Sequence, residues 1–211
     1  MALTLAKRSK PKKDVASLVD SRLPGVIKDV QGSRVCGNSG GLREFMAAEH
    51  SRLDELLVRC ARGAGQFDVA TYEEFRGLLL RHISIEEKIL LPAAQRRQSG
   101  TPLALALRLR LDHGVLAALM MLPPVASTFY AVRAVLDAHN PLEEAAGGVY
   151  EQCEDLLGLE AEDLLARCRA TPRVPVSPWI DSPKVLAAAK RVLMRAGYED
   201  SLLNPREEAQ E

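Results

Sequence analysis

Leu80-Arg81-His82-Ile83-Ser84-Ile85-Glu86-Glu87 decides how this chain of 211 residues is read. His82 and Glu86 stand four residues apart, so on an α-helix their side chains project from one face, one turn above the other. The same spacing recurs at His139 and Glu143, while His50 and His113 stand alone on either side of His82. Every one of the 4 histidines belongs to this pattern. A single His-x-x-x-Glu is commonly an exposed helical pair. Two of them, joined by two further histidines on apolar stripes, form a candidate metal-ligand set.

Helical periodicity surrounds each of these residues. Phe45, Met46, Leu53, Leu56, Leu57 and Cys60 repeat at helical spacing with His50 among them, predicting a helix over 42–62 that Gly63 and Gly65 end. Thr71 and Glu74 read as a capping box for a second helix, which turns Phe75, Leu78, Leu79, Ile85, Ile89 and Leu90 inward beside His82 and Glu86. Pro92 predicts a kink or an end, and Ser99-Gly100 a turn. Thr101 and Pro102 read as the N-cap and first residue of a third helix, carrying His113 and stopped by Pro123-Pro124. A fourth begins near Ser127 or Thr128 and bears Val132, Leu136, His139, Glu143 and Ala146 on one stripe. Pro141 lies inside its His/Glu pair and predicts a kink, or a restart capped by Asn140. Glu87 and Glu144 sit about 100° around from the ligand face, a position in solvent or in an outer shell. Tyr150, seven residues beyond Glu143 on a continuing helix, falls about 10 Å away and is assigned to packing.

The expected fold is therefore all-α, an up-down-up-down four-helix bundle over residues 40–157. An irregular arm over 1–39, with a possible short helix at 14–22, precedes it. Residues 158–211 follow as a short acidic helix, a Pro-rich linker at 171–178 and a last helix that docks on the bundle, capped at Asp181-Ser182-Pro183 and ended by Gly197. Measured from the turns, the ligand positions agree in height to within about one helical turn, so a single belt is feasible. Two carboxylates in a leucine-rich core require compensating positive charge, which two divalent metals supply. Imidazole with carboxylate suits iron, zinc and copper alike.

The order His, His-x-x-x-Glu, His, His-x-x-x-Glu resembles the hemerythrin-like, or HHE cation-binding, family over about residues 40–157. The resemblance implies a non-haem di-iron centre in a four-helix bundle: two iron ions, with a bridging oxo or hydroxo group. His50, His82, His113 and His139 would be terminal ligands, and Glu86 and Glu143 bridging carboxylates. Such a centre binds O2, peroxide or NO and serves oxygen or redox sensing, or iron handling. Related proteins with this ligand pattern include di-iron enzymes of iron-sulfur-centre repair or peroxidase type, and a metal-free helical interaction module is the third alternative. One departure stands out. Hemerythrins proper carry two histidines one turn apart on the third helix, whereas the residue one turn beyond His113 is Ala117.

Composition excludes other classes. Lys plus Arg and Asp plus Glu both total 28, so no net field draws the chain to nucleic acid or an anionic membrane. Aromatic content is only 4%, which favours packed helices over sheet. No apolar run approaches the roughly 20 residues of a membrane span. The basic start is followed by no apolar segment of a signal peptide. Cys36, Cys60, Cys153 and Cys168 form no C-x-x-C pair and read as reduced thiols of a cytoplasmic protein.

Overall fold

Apolar spacing of three and four residues produces the first helix, α1 (Leu42–Cys60), which buries Leu42, Met46, His50, Leu53, Leu57 and Cys60. Its first turn is capped from a distance: the Arg43 backbone N–H donates to Glu154 Oε1 at 2.9 Å. The computed structural model describes residues 41–61 and 67–204. The expected N-terminal arm, its short helix, Cys36 and the Gly63/Gly65 breakers lie outside the described residues.

α2 (Val69–Ile85) opens earlier than the Thr71 capping box predicts, because Asp68 is the N-cap and accepts from the Thr71 backbone N–H at 3.1 Å. Its end differs as well. A π-helical turn (Glu86–Leu90) leads directly into α3 (Leu91–Arg97), and Pro92 sits inside this continuous helical run. The Leu91 N–H reaches Glu86 O, one residue further back than in an α-helix. Widening the turn just before Pro92 relieves the clash its ring would make with the carbonyl four residues back. Ser99 and Gly100, both at positive φ, then form the expected turn.

α4 (Ala106–Leu119) starts later than Thr101-Pro102 predicts. Leu103 is buried ahead of it, so core packing holds residues 101–103 out of the helix despite their capping chemistry. α5 (Ala126–Glu144) runs unbroken through Pro141. The carbonyl that loses its donor there belongs to Asp137, an exposed residue, where water can replace the bond.

A separate helix, α6 (Val149–Leu157), corrects the expectation of a continuing fourth helix. Gly147, at φ 74°, and Gly148 form the turn between α5 and α6. A short 3₁₀ turn follows, then α7 (Ala161–Ala170), an extended segment, and α8 (Pro183–Arg195), capped by Ser182 and ended by Gly197 at φ 84° as expected. The described residues are all-helical; their only β-pairing is an isolated bridge between Ala61 and Phe67. No helix among them is long and apolar enough to cross a membrane.

Two apolar clusters divide the core. One contains Leu53, Leu57, Phe75, Leu79, Val115, Leu116, Val132 and Leu136. The other contains Leu42, Met46, Ile85, Leu90, Ala106, Leu109 and Val149. α1 and α4 run from the second cluster to the first, and the α2–α3 run and α5 travel the opposite way. On each of these paths the histidine lies at the crossing. α1 packs along α2, and α4 along α5; α6 fills in against α1, α3 and α5, and α8 packs on α4.

Candidate metal centre

The crossing layer holds His50 from α1, His82 from α2, Glu86 at the start of the π turn, His113 from α4, and His139 and Glu143 from α5. All six are buried, none more than 4% exposed. Their donor atoms form two groups, each within 4.8 Å: His50, His82, Glu86 and Glu143 in one, and Glu86, His113, His139 and Glu143 in the other. Glu86 and Glu143 belong to both. In the first group His50 Nε2 lies 2.8 Å from His82 Nε2 and 3.4 Å from Glu143 Oε2, and His82 Nε2 is 3.2 Å from Glu86 Oε1. In the second, His113 Nε2 is 3.0 Å from Glu86 Oε2 and His139 Nε2 is 3.2 Å from Glu143 Oε1. Neighbouring donors bound about 2.1 Å from one ion lie about 3 Å apart, so both groups suit a first-row metal.

Hydrogen bonding leaves this layer incomplete. His113 Nε2, Glu86 Oε2 and Glu143 Oε1 are buried without a hydrogen-bond partner among the described residues, although they face one another closely. Their lone pairs and protons are misaligned for mutual bonding. Orphaned buried polar atoms are costly, and convergence on a cation satisfies them together.

Carboxylates outside the layer fix the imidazoles. Glu144 accepts from His50 Nδ1, and Glu87 Oε1 lies 2.8 Å from His113 Nδ1. Asp112 Oδ2 faces His139 Nδ1 at 3.5 Å, too far for a well-formed hydrogen bond. The first two contacts favour a proton on Nδ1 of His50 and His113, leaving Nε2 with its lone pair directed inward. His82 Nδ1 has no hydrogen-bond partner among the described residues. Of the two positions open to Glu87 and Glu144, the structure selects the outer shell. Arg110 steadies Glu87 at 3.2 Å, while Arg108 and the Tyr198 hydroxyl donate to Asp112 at 3.0 and 2.9 Å.

Proton affinities follow from this crowding of anions. Burial opposes charge on His50, yet Glu143 and Glu144 raise it to about 10. His113 rises to about 10 against the same penalty through Glu86 and Glu87, and His139 to about 9 through Asp112 and Glu143. Burial would raise the Glu86 carboxyl, but His82 and His113 hold it well below the ordinary carboxylate range. The metal-free layer thus holds protons that a metal must displace.

Tyr150 corrects the packing assignment. Because α6 is a new helix after the Gly147-Gly148 turn, the Tyr150 hydroxyl enters the layer and donates to Glu86 Oε1 at 2.5 Å and to Glu143 Oε2 at 3.1 Å. The adjacent glycines were the available signal. Asp112 has one local signal, the i, i+4 pair it makes with Arg108 on α4, whereas Tyr198 reaches it through tertiary packing.

No family model matches the chain, and neither the curated proteins nor the solved structures provide a match. The three described cysteines, Cys60, Cys153 and Cys168, are free and buried.

Proposed function

We propose that this protein is a hemerythrin-like, non-haem di-iron protein, with α1, α2, α4 and α5 forming an antiparallel four-helix bundle around the metals. The observation that carries the reading is the sharing of Glu86 and Glu143 by two adjacent ligand groups, the geometry of two carboxylates that bridge a metal pair. His50 and His82 would hold one iron, and His113 and His139 the other. The alternating passage of the helices between the two apolar clusters supports the bundle topology.

When bound, the irons supply a redox-active pair that takes O2, peroxide or NO as a ligand, suited to oxygen or redox sensing or to iron handling. The chain's residues supply the surroundings. The apolar clusters exclude water on both sides, and Glu144 and Glu87 orient His50 and His113 by accepting their Nδ1 protons, while Asp112 faces His139 Nδ1. A metal-free interaction module has no use for orphaned donors and acceptors in a buried layer.

Metal analysis after anaerobic Fe(II) reconstitution tests the reading. It requires about two irons per chain, the number that two ligand groups accommodate. Iron(III) charge-transfer absorption should appear in air and bleach on reduction with dithionite. A folded protein that retains no iron overturns the proposal.

A further inference from the structure

We infer that Tyr150 is itself a metal ligand, serving only the iron held by His50 and His82, so that the two metal positions are chemically unequal. The inference rests on the di-iron reading and deepens it. The Tyr150 hydroxyl lies 3.2 Å from His50 Nε2 and 3.4 Å from His82 Nε2, as well as 2.5 Å from Glu86 Oε1 and 3.1 Å from Glu143 Oε2. These four residues are the whole of one ligand group. Among the described residues Tyr150 makes no hydrogen bond to His113 or His139, the histidines of the other group. The oxygen stands at about the spacing that a further donor on the same ion would have.

The placement changes how the protein donors are divided. With Tyr150, the His50/His82 metal has two imidazoles, two carboxylate oxygens and a phenol oxygen. The His113/His139 metal has two imidazoles and two carboxylate oxygens, and the residue one turn beyond His113 is Ala117. Exogenous ligands are therefore directed to the His113/His139 metal. On coordination the Tyr150 O–H bond breaks, the oxygen–metal bond forms, and the proton leaves to solvent. The phenolate adds a third anion where the protein must balance two cations away from water.

The test uses the full chain loaded with iron and oxidised. Visible absorption and resonance Raman spectra should show phenolate-to-iron(III) charge transfer with tyrosinate ring modes. Tyr150→Phe should abolish both while still binding about two irons per chain, the content of the proposed centre. Tyr72→Phe, which removes a hydroxyl bonded to the Leu122 carbonyl inside the first apolar cluster, should retain them. Azide added to the native protein should change the spectrum without removing the tyrosinate modes. Iron-loaded native protein without those modes overturns the Tyr150 assignment and leaves the di-iron reading standing, and displacement of the modes by azide overturns the unequal-site assignment. Failure to bind iron is seen separately, by metal analysis, and removes both. The native spectrum decides the matter even if Tyr150→Phe does not fold.

Discussion

Glu87 Oε1 and His113 Nδ1 lie 2.8 Å apart, a contact between neighbouring residues of two different helical runs. Glu87 follows a proposed ligand, Glu86, yet the two carboxylates act on His113 from opposite sides of its ring. Glu86 faces Nε2 at 3.0 Å and Glu87 holds Nδ1. The π turn begins at Glu86 and allows adjacent residues to share this task.

Glu87→Gln should keep the fold and weaken the centre. The amide oxygen can still accept from Nδ1, but the negative charge that strengthens the imidazole as a donor is gone. Outer-shell substitutions of this kind lower metal affinity about 10- to 100-fold, and the retained acceptor places Glu87→Gln near the lower bound. Competition with a chelator of known affinity measures it; unchanged affinity would remove Glu87 from the site.

The metal-free protein should lose stability as pH rises through the alkaline range. His50 and His113 titrate at about 10 and His139 at about 9 in the folded chain, above the histidine reference of about 6.5 in an unfolded one. Their contribution is fully present below about 6.5, declines above it, and is gone beyond the folded values. Glu86 has the opposite sign: its folded pKa is depressed, so its contribution is present above about 4.5 and lost as pH falls through the depressed value. Metal requires neutral imidazoles, so iron should bind more tightly as pH rises across the same alkaline window. Thermal melts of chelated and loaded protein from pH 6 to 10 should therefore diverge. Near neutral pH a metal present at 100 to 1,000 times its Kd adds about 3–4 kcal/mol, on the order of 10 °C for a chain of this size. Parallel melting curves would show that the histidines do not bind the metal.

The convergence of His50, His82, Glu86, His113, His139 and Glu143 was legible because the helix converts i, i+4 spacing into a shared face and the apolar stripes carry that face inward. Pro141 was a poor guide to the backbone: its lost hydrogen bond falls on the exposed Asp137 side of α5, where disruption costs little. Leu103 shows the converse, with tertiary burial overriding the helix-starting chemistry of Thr101 and Pro102. Tyr150 was missed because helical arithmetic was continued across Gly147 and Gly148. The π turn has Pro92 as its only local cue, and that residue equally suits a kink or an end.

Asp112→Asn should destabilise the metal-free protein at neutral pH by about 2 kcal/mol, the scale of hydrogen bonds to a charged group. Asp112 is fully buried and receives Arg108 and Tyr198 while facing His139, so one carboxylate joins α4, α5 and the segment after α8. Asparagine keeps the size and replaces one acceptor oxygen with a donor that opposes Arg108 or Tyr198. Denaturant unfolding should record the loss, and nuclear magnetic resonance titration should find His139 below its native value of about 9. If His139 titrates unchanged, its separation from Asp112 is too great for coupling.

Gly148→Ala should separate the construction of the layer from its ligands. A Cβ at Gly148 would meet the Glu143 carbonyl oxygen at 2.6 Å and that of Ala145 at 2.7 Å, two backbone atoms with little freedom to withdraw. The chain can admit the methyl group only by opening the turn between α5 and α6. Tyr150, two residues beyond Gly148, must then move relative to Glu143. Overpacking of this kind costs about 1–3 kcal/mol, while the four histidines and Glu86 remain on helices outside the turn. The variant should therefore melt lower yet still take up iron, with weaker tyrosinate modes than the native protein. An unaltered melt with full tyrosinate intensity would show that the turn yields without moving Tyr150, and that the tight fit at Gly148 does not set its position.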